Sequence, residues 1–265
     1  MKETIGLIGV GNMGTAILEG LLKKNLVMPS QVVVFDKLKD KAEEFSRQWK
    51  TGLAASCADV VSKSEIVLLA VKPQDLAATA TEMNVQPGKF TLISILAGVP
   101  LSKFKEIFNS SVELVRAMPN LGAKVGESMT AVTATSEKAY SFAEQIFSGC
   151  GKIARLEEKF FDLVTAVSGS GPAYFFLLME LLENAGREQG LGEKEARLLA
   201  VQTAVGAALL AATSDVSPEE LRRRVTSKGG TTEAALKIFE QNAFSETVKQ
   251  AVTAAVNRGK ELSKG

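Results

Sequence analysis

The sequence predicts a two-part chain: an α/β domain with a mainly parallel sheet over residues 1–158, followed by an all-α domain over residues 159–265. Three observations lead there. Short β-branched runs alternate with amphipathic helical patterns up to about residue 157, as in a parallel sheet covered on both faces. Strand patterns then stop. Several of the later helices are apolar on more than one side, which calls for partners beyond their own domain and predicts a helical dimer interface.

The strands are read at 4–9 (TIGLIG), 32–35 (VVVF), 65–71 (EIVLLAV), 90–95 (FTLISI), 112–118 (VELVRAM), 129–134 (MTAVTA) and 152–156 (KIARL), with amphipathic segments such as Ala16–Lys24 and Lys39–Lys50 between them. Beyond them, the runs FFDLVTAV, AYFFLLMELLENAGREQG, EKEARLLAVQTAVGAALLAA, SPEELRRRV, TTEAALKIFEQ and FSETVKQAVTAAVNRGKEL carry helical spacing. Ser217-Pro218-Glu219-Glu220 marks a helix start, with serine as cap, proline in the first turn and acids after it.

Composition excludes several classes. The chain has 265 residues, 46% hydrophobic and 23% charged, as in a soluble globular protein. A net charge of +1 supplies no basic field, so neither nucleic acid nor an anionic membrane is expected as a partner. Two cysteines, Cys57 and Cys150, and no histidine leave no metal-ligand spacing, so no metal is expected. The start of the chain lacks the pattern of a signal peptide, and the apolar stretch Leu198–Ala212 falls short of the about 20 residues that span a bilayer; a cytoplasmic protein is expected.

Gly9-Val10-Gly11-Asn12-Met13-Gly14 is a G-x-G-x-x-G stretch in the context that gives it meaning: it follows a strand, opens a helix, and Asp36 ends the second strand. Gly9 permits the tight turn, Gly11 a close approach of the pyrophosphate, and Gly14 close packing of helix on strand. This is a Rossmann-like dinucleotide site. Asp36 would accept from the adenosine ribose diol, as in NADH enzymes, whereas Lys37, Lys39 and Lys41 would pair with the 2′-phosphate of NADPH; the choice stays open. Ala70-Val71-Lys72-Pro73 and Met118-Pro119-Asn120 end strands where a nicotinamide should arrive.

Residues 225–236, VTSKGGTTEAAL, hold a second signal. Gly229 and Gly230 admit unusual backbone conformations, and Thr231 or Thr232 can cap the helix that follows. One glycine and one hydroxyl would suffice for that. The surplus suggests a cradle of N–H groups and hydroxyls for a carboxylate.

Together, GLIGVGNMG, AVKP, RAMPN, SGSGPAY and TSKGGTTEAAL, in this order, resemble the pyrroline-5-carboxylate reductase family, and the resemblance runs from the first strand to the final helix. It implies a Rossmann domain with a helical domain that forms an intertwined homodimer, in some members a decamer. It implies the last step of proline biosynthesis, reduction of 1-pyrroline-5-carboxylate by NADPH or NADH. Ser227 through Thr232 would hold the substrate carboxylate, with Thr232 near the ring nitrogen as the catalytic positioning residue; Ala97 and Met118–Asn120 would border the nicotinamide; and Ser168–Pro172 would start the interface helix. Lys228, where the family usually has proline, and Cys57, where relatives often carry a polar residue beside the ribose, depart from the pattern. With no histidine to donate a proton, the imine would arrive already protonated. The alternatives are a β-hydroxyacid dehydrogenase, whose catalytic lysine is missing from GPAYFFLLMELLENAG, and a non-catalytic dinucleotide sensor.

Overall fold

The computed structural model describes residues 1–85, 90–108 and 112–262. In chain order the elements are β1 (Ile5–Ile8), α1 (Asn12–Lys23), β2 (Val32–Phe35), α2 (Lys39–Trp49), β3 (Gly52–Leu53), α3 (Cys57–Lys63), β4 (Ile66–Leu69), α4 (Leu76–Met83), β5 (Thr91–Ser94), α5 (Leu101–Phe108), β6 (Glu113–Met118), β7 (Ser128–Ala134), α6 (Glu137–Phe147) and β8 (Gly151–Arg155). The helices α7 (Phe161–Val164), α8 (Gly171–Glu188), α9 (Glu193–Thr213), α10 (Pro218–Arg224), α11 (Thr231–Gln241) and α12 (Phe244–Leu262) follow.

The strands form one sheet in the order β3-β2-β1-β4-β5-β6-β7-β8. Every pairing is parallel except β6–β7, where Val115 faces Ala134 and Met118 faces Ala131. The link of residues 119–127 explains that exception: it is shorter than the dozen or so residues a parallel crossover needs. The strand alternation sends Leu7, Val34, Leu68, Ile93 and Val115 to one face, under Leu18, Leu21, Phe45 and Phe147 of α1, α2 and α6. Ile8, Val33, Val67, Leu92 and Leu114 go to the other, under Val60, Leu76, Met83, Phe104 and Phe108 of α3, α4 and α5. Each face buries side chains completely, which supplies the hydrophobic drive for the layered arrangement.

The chain divides into two compact units: Met1–Ser170 together with the chain from Ala255 onward, and Gly171–Ala254. In the first unit α7 runs into a π-helical turn, Thr165–Gly169, where Ser170 N–H bonds to Thr165 O at 2.8 Å. In the second, α8 and α9 pack on each other, joined through Gly190 at φ +99°. Ser217 caps α10 as the sequence predicts, accepting from Glu220 N–H at 3.2 Å.

The sequence expectation of an apolar stretch too short for a bilayer needs correction. Glu193–Thr213, and the helical run Glu158–Glu188, are long and apolar enough to cross one by length and composition. The polar first turn of α9 extends the helix beyond the apolar run. Phe175, Phe176, Leu198, Leu199, Leu209 and Leu210 lie exposed on α8 and α9, an apolar surface far beyond what scattered surface residues provide.

Candidate active site

The turn after β1 is built as the glycine spacing requires. Gly9 sits at φ +101°, and a Cβ there would lie 2.6 Å from Ala70 O. At Gly14 a Cβ would lie 2.6 Å from Gly9 O, so helix and strand touch. At Gly11 a Cβ would meet nothing within 4 Å. Gly11 is the N-cap of α1 and no side chain among the described residues caps that helix, so the first-turn amides of Asn12, Met13 and Gly14 remain for an anion. The fit to a dinucleotide pyrophosphate is therefore good: backbone is open where the phosphates approach and closed where packing needs it.

A cavity of about 510 Å³ runs along this turn. Its wall includes Gly9, Gly11, Asp36, Lys37, Ala70, Val71 and Lys72 from the sequence-predicted set, with Lys41 and Cys57. A neighbouring cavity of about 360 Å³ is bordered by Asp36, Lys37 and Lys39. Asp36 has a role that the sequence did not reveal. Its Oδ2 accepts Val10 N–H at 2.7 Å and its Oδ1 accepts Leu38 N–H at 2.8 Å, so it ties the fingerprint turn to the end of β2. Lys37 approaches Asp75 at 3.8 Å across the cleft. Pro73 opens a single 3-10 turn after β4.

Cys57 is buried in the cavity floor. Burial first, then the Glu82 carboxylate, push its thiol up to about 12, so it stands there as a neutral group. Reading the sequence missed Gln74 and Thr79. Thr79 is buried on α4, and its Oγ1 has no hydrogen-bond partner among the described residues, whereas Thr81 on the same helix donates to Ala77 O at 3.0 Å. A hydroxyl on the Leu76–Thr79–Met83 core face was the available signal.

Ala97, Met118, Pro119 and Asn120 lie apart from that cavity wall, at the ends of β5 and β6. Ala97 is exposed in a turn beside Gly98, at φ +75°. Asn120 accepts Gly122 N–H at 3.0 Å and donates from Nδ2 to Ser168 Oγ at 3.1 Å, which binds its turn to the SGSGP segment. A Cβ at Gly169 would lie 2.6 Å from Met118 Cε, so this glycine lets the two segments close. Nearby, Arg116 is buried within β6. Its Nη1 donates to Glu158 Oε1 at 3.0 Å, the same oxygen accepts Leu101 N–H at 2.7 Å, and the guanidinium lies 4.7 Å from the centre of the Phe161 ring. Sequence reading passed over this tie, whose only signal is an arginine inside an apolar strand.

In the second unit, Gly229 adopts φ +73° and Gly230 N–H closes a turn on Ser227 O at 3.0 Å. The expectation that Thr231 or Thr232 caps α11 is corrected. Gly230 holds the N-cap position and Thr231 is the first helical residue. The physical reason lies in the backbone: Gly230 is extended at φ −85° and ψ 170°, so both threonines already lie in the first helical turn, past the position from which a hydroxyl caps. Glu233 reaches back from that turn to accept Gly229 N–H at 2.8 Å.

A glycine-fingerprint turn on a mainly parallel sheet, followed by an exposed apolar helical unit, defines an NAD(P)H-dependent oxidoreductase with a dimerisation domain. Residues 4–98 match the family described as NADP oxidoreductase, coenzyme F420-dependent, and residues 157–262 match pyrroline-5-carboxylate reductase dimerisation. The chain is 37% identical to the pyrroline-5-carboxylate reductase of Pseudomonas aeruginosa, covering 98% of this chain and 96% of that one. With the enzyme of Aquifex aeolicus it shares 33% over 97% of each. The Coxiella burnetii pyrroline-5-carboxylate reductase structure superposes with a TM-score of 0.94 at 34% identity over 100% of both chains. The Plasmodium falciparum enzyme with NADP bound gives 0.88 at 28%, over 99% of this chain and 98% of that one. The chain belongs to the pyrroline-5-carboxylate reductase family.

Proposed function

We propose that this chain reduces 1-pyrroline-5-carboxylate to L-proline, the last step of proline biosynthesis. The observation that carries the reading is the start of α11, in a chain without histidine. There the first-turn amides of Thr231, Thr232 and Glu233 and the threonine hydroxyls have no acceptor or donor among the described residues, which suits a small carboxylate. Gly229 and Gly230 shape that backbone and Ser227 closes it. Thr232 is the positioning residue for the ring nitrogen.

Gly9, Val10, Gly11, Asn12, Met13 and Gly14 would hold the coenzyme, with Asp36 and Lys37 at its ribose and Ala70–Pro73, Ala97 and Met118–Asn120 towards its nicotinamide. When bound it would supply a hydride for C5 of the imine. The imine nitrogen arrives protonated and becomes the amine of proline, so the protein has only to orient the ring, exclude water and offer a hydroxyl to the nitrogen. NADPH is the preferred coenzyme, because Lys37, Lys39 and Lys41 gather at the ribose end. A relative's structure with NADP bound supports this. The functional division falls at 158/159, supported by a dimerisation-family match that begins at residue 157. The exposed apolar faces of α8 and α9 pair two copies, supported by the dimerisation-family match over these helices. Two buried free cysteines suit the reducing cytoplasm.

The test is coenzyme oxidation with 1-pyrroline-5-carboxylate, run with NADPH and NADH side by side. Thr232→Ala should lower kcat/KM about 10- to 100-fold, roughly the 1.5–3 kcal/mol of one hydrogen bond to a charged group. An unchanged value removes Thr232 from the site. Oxidation of a hydroxyacid with no reduction of the pyrroline would overturn the whole reading.

A further inference from the structure

The loop before α11 already binds a carboxylate, and it is the chain's own. Glu233 Oε2 accepts the Gly229 N–H at 2.8 Å. Gly230 N–H is taken by Ser227 O at 3.0 Å. Both glycine amides, the obvious donors of a Gly-Gly cradle, are therefore bonded within the loop. The amides that remain belong to the first turn of α11: Thr231, Thr232 and Glu233 itself.

We infer that Glu233 is a positioning residue for substrate affinity: by holding Gly229 at φ +73° it fixes the loop so that the Thr231 and Thr232 amides and hydroxyls, and not the glycine amides, receive the substrate carboxylate. The inference rests on the reductase reading above and narrows it to particular donors. Gly229 has the left-handed backbone that a flexible glycine leaves readily unless something holds it. Ordering it only when substrate binds would weaken affinity by the conformational entropy of the loop. A carboxylate in the first turn is also favoured by the helix dipole, and Lys237 approaches it at 3.7 Å, so a second negative group beside the substrate is partly offset. What the loop requires of residue 233 is a hydrogen-bond acceptor. A glutamine carbonyl meets that requirement as well as a carboxylate.

The experiment uses the full-length enzyme at saturating NADPH and varies the imine for wild type, Glu233→Ala and Glu233→Gln. Glu233→Ala should raise KM for the imine about 3- to 10-fold, the worth of one hydrogen bond, with kcat and the Kd of NADPH held near wild type. Glu233→Gln should recover most of the loss. An alanine variant with the wild-type KM overturns the inference, and so does a glutamine variant as impaired as alanine. A KM below wild type in both variants overturns it too, because Glu233 would then be competing with the substrate. A wild-type chain that leaves the imine untouched defeats the reductase reading itself. Reduction with normal substrate affinity in Glu233→Ala defeats this inference alone.

Discussion

Replacing Arg116 with methionine removes a buried guanidinium and keeps an apolar stem of similar length. The arginine side chain is 7% exposed, and its partner Glu158, 3.0 Å away, is 33% exposed. At an effective dielectric near 20 the Coulomb attraction at that distance is roughly 5 kcal/mol, most of it cancelled by the desolvation of the arginine. Breaking a fully buried pair by removing one partner costs about 3–5 kcal/mol. Glu158 is left less stranded than that, since it reaches water and still accepts Leu101 N–H. Loss of the stacking over Phe161 removes about 0.5–1 kcal/mol, which a methionine sulfur near the ring partly restores. The expected destabilisation is therefore about 2–3 kcal/mol. Urea unfolding at one fixed protein concentration reads it from the midpoint and slope. A cycle with Glu158→Gln, in which the glutamine oxygen can still accept Leu101 N–H, should give a coupling energy of about 1–2 kcal/mol. A coupling below about 0.3 kcal/mol would refute the tie between β6, the start of α5 and residue 158 as a stabilising unit.

Further outcomes follow from the glycine turn and from the two buried thiols. Gly14→Ala places a Cβ 2.6 Å from Gly9 O and should destabilise the fold by about 1–3 kcal/mol, whereas Gly11→Ala, with open space at its Cβ, should melt like wild type and lose NADPH affinity in a fluorescence titration. Equal melting of the two variants would contradict the assignment of the three glycines. Burial raises Cys57 to about 12 and Cys150 to about 11, so both thiols are protonated in the folded chain at pH 8 and should resist iodoacetamide until the chain is unfolded. A thiol raised on folding stabilises fully below its unfolded value near 9 and loses that contribution as pH rises through the folded value, so melting temperature should fall from about pH 9 upward. Rapid native labelling of either cysteine at pH 8 would refute their burial.

Much of the fold was legible because its cause is local. Continuous apolar, β-branched runs such as VVVF and EIVLLAV report strands buried on both faces, and the pleat sorts Val33 from Val34 and Val67 from Leu68 onto opposite faces of the sheet. The short strand Gly52–Leu53 carries no such run and is defined by its pairing with Val33 and Val34, so it went unseen. The antiparallel β7 was read as a strand with no direction, since direction depends on how far a short connection can travel. The cap of α11 was misassigned because Thr231 and Thr232 have the chemistry of a cap, whereas the cap position is set by the extended backbone of Gly230, which residue type does not announce.

The sequence alone determined the layered α/β plan, the place where helices replace strands, the glycine turn for a dinucleotide and the Gly-Gly-Thr-Thr loop, because periodicity and glycine spacing act over a few residues. Tertiary structure alone decided which partner each polar side chain takes. Asp36 clamps Val10 from 26 residues away, and Arg116 finds Glu158 across 42. Such pairings depend on where the packing of the sheet and helices brings distant backbone together, and the burial of Arg116 then leaves its guanidinium little water to choose instead.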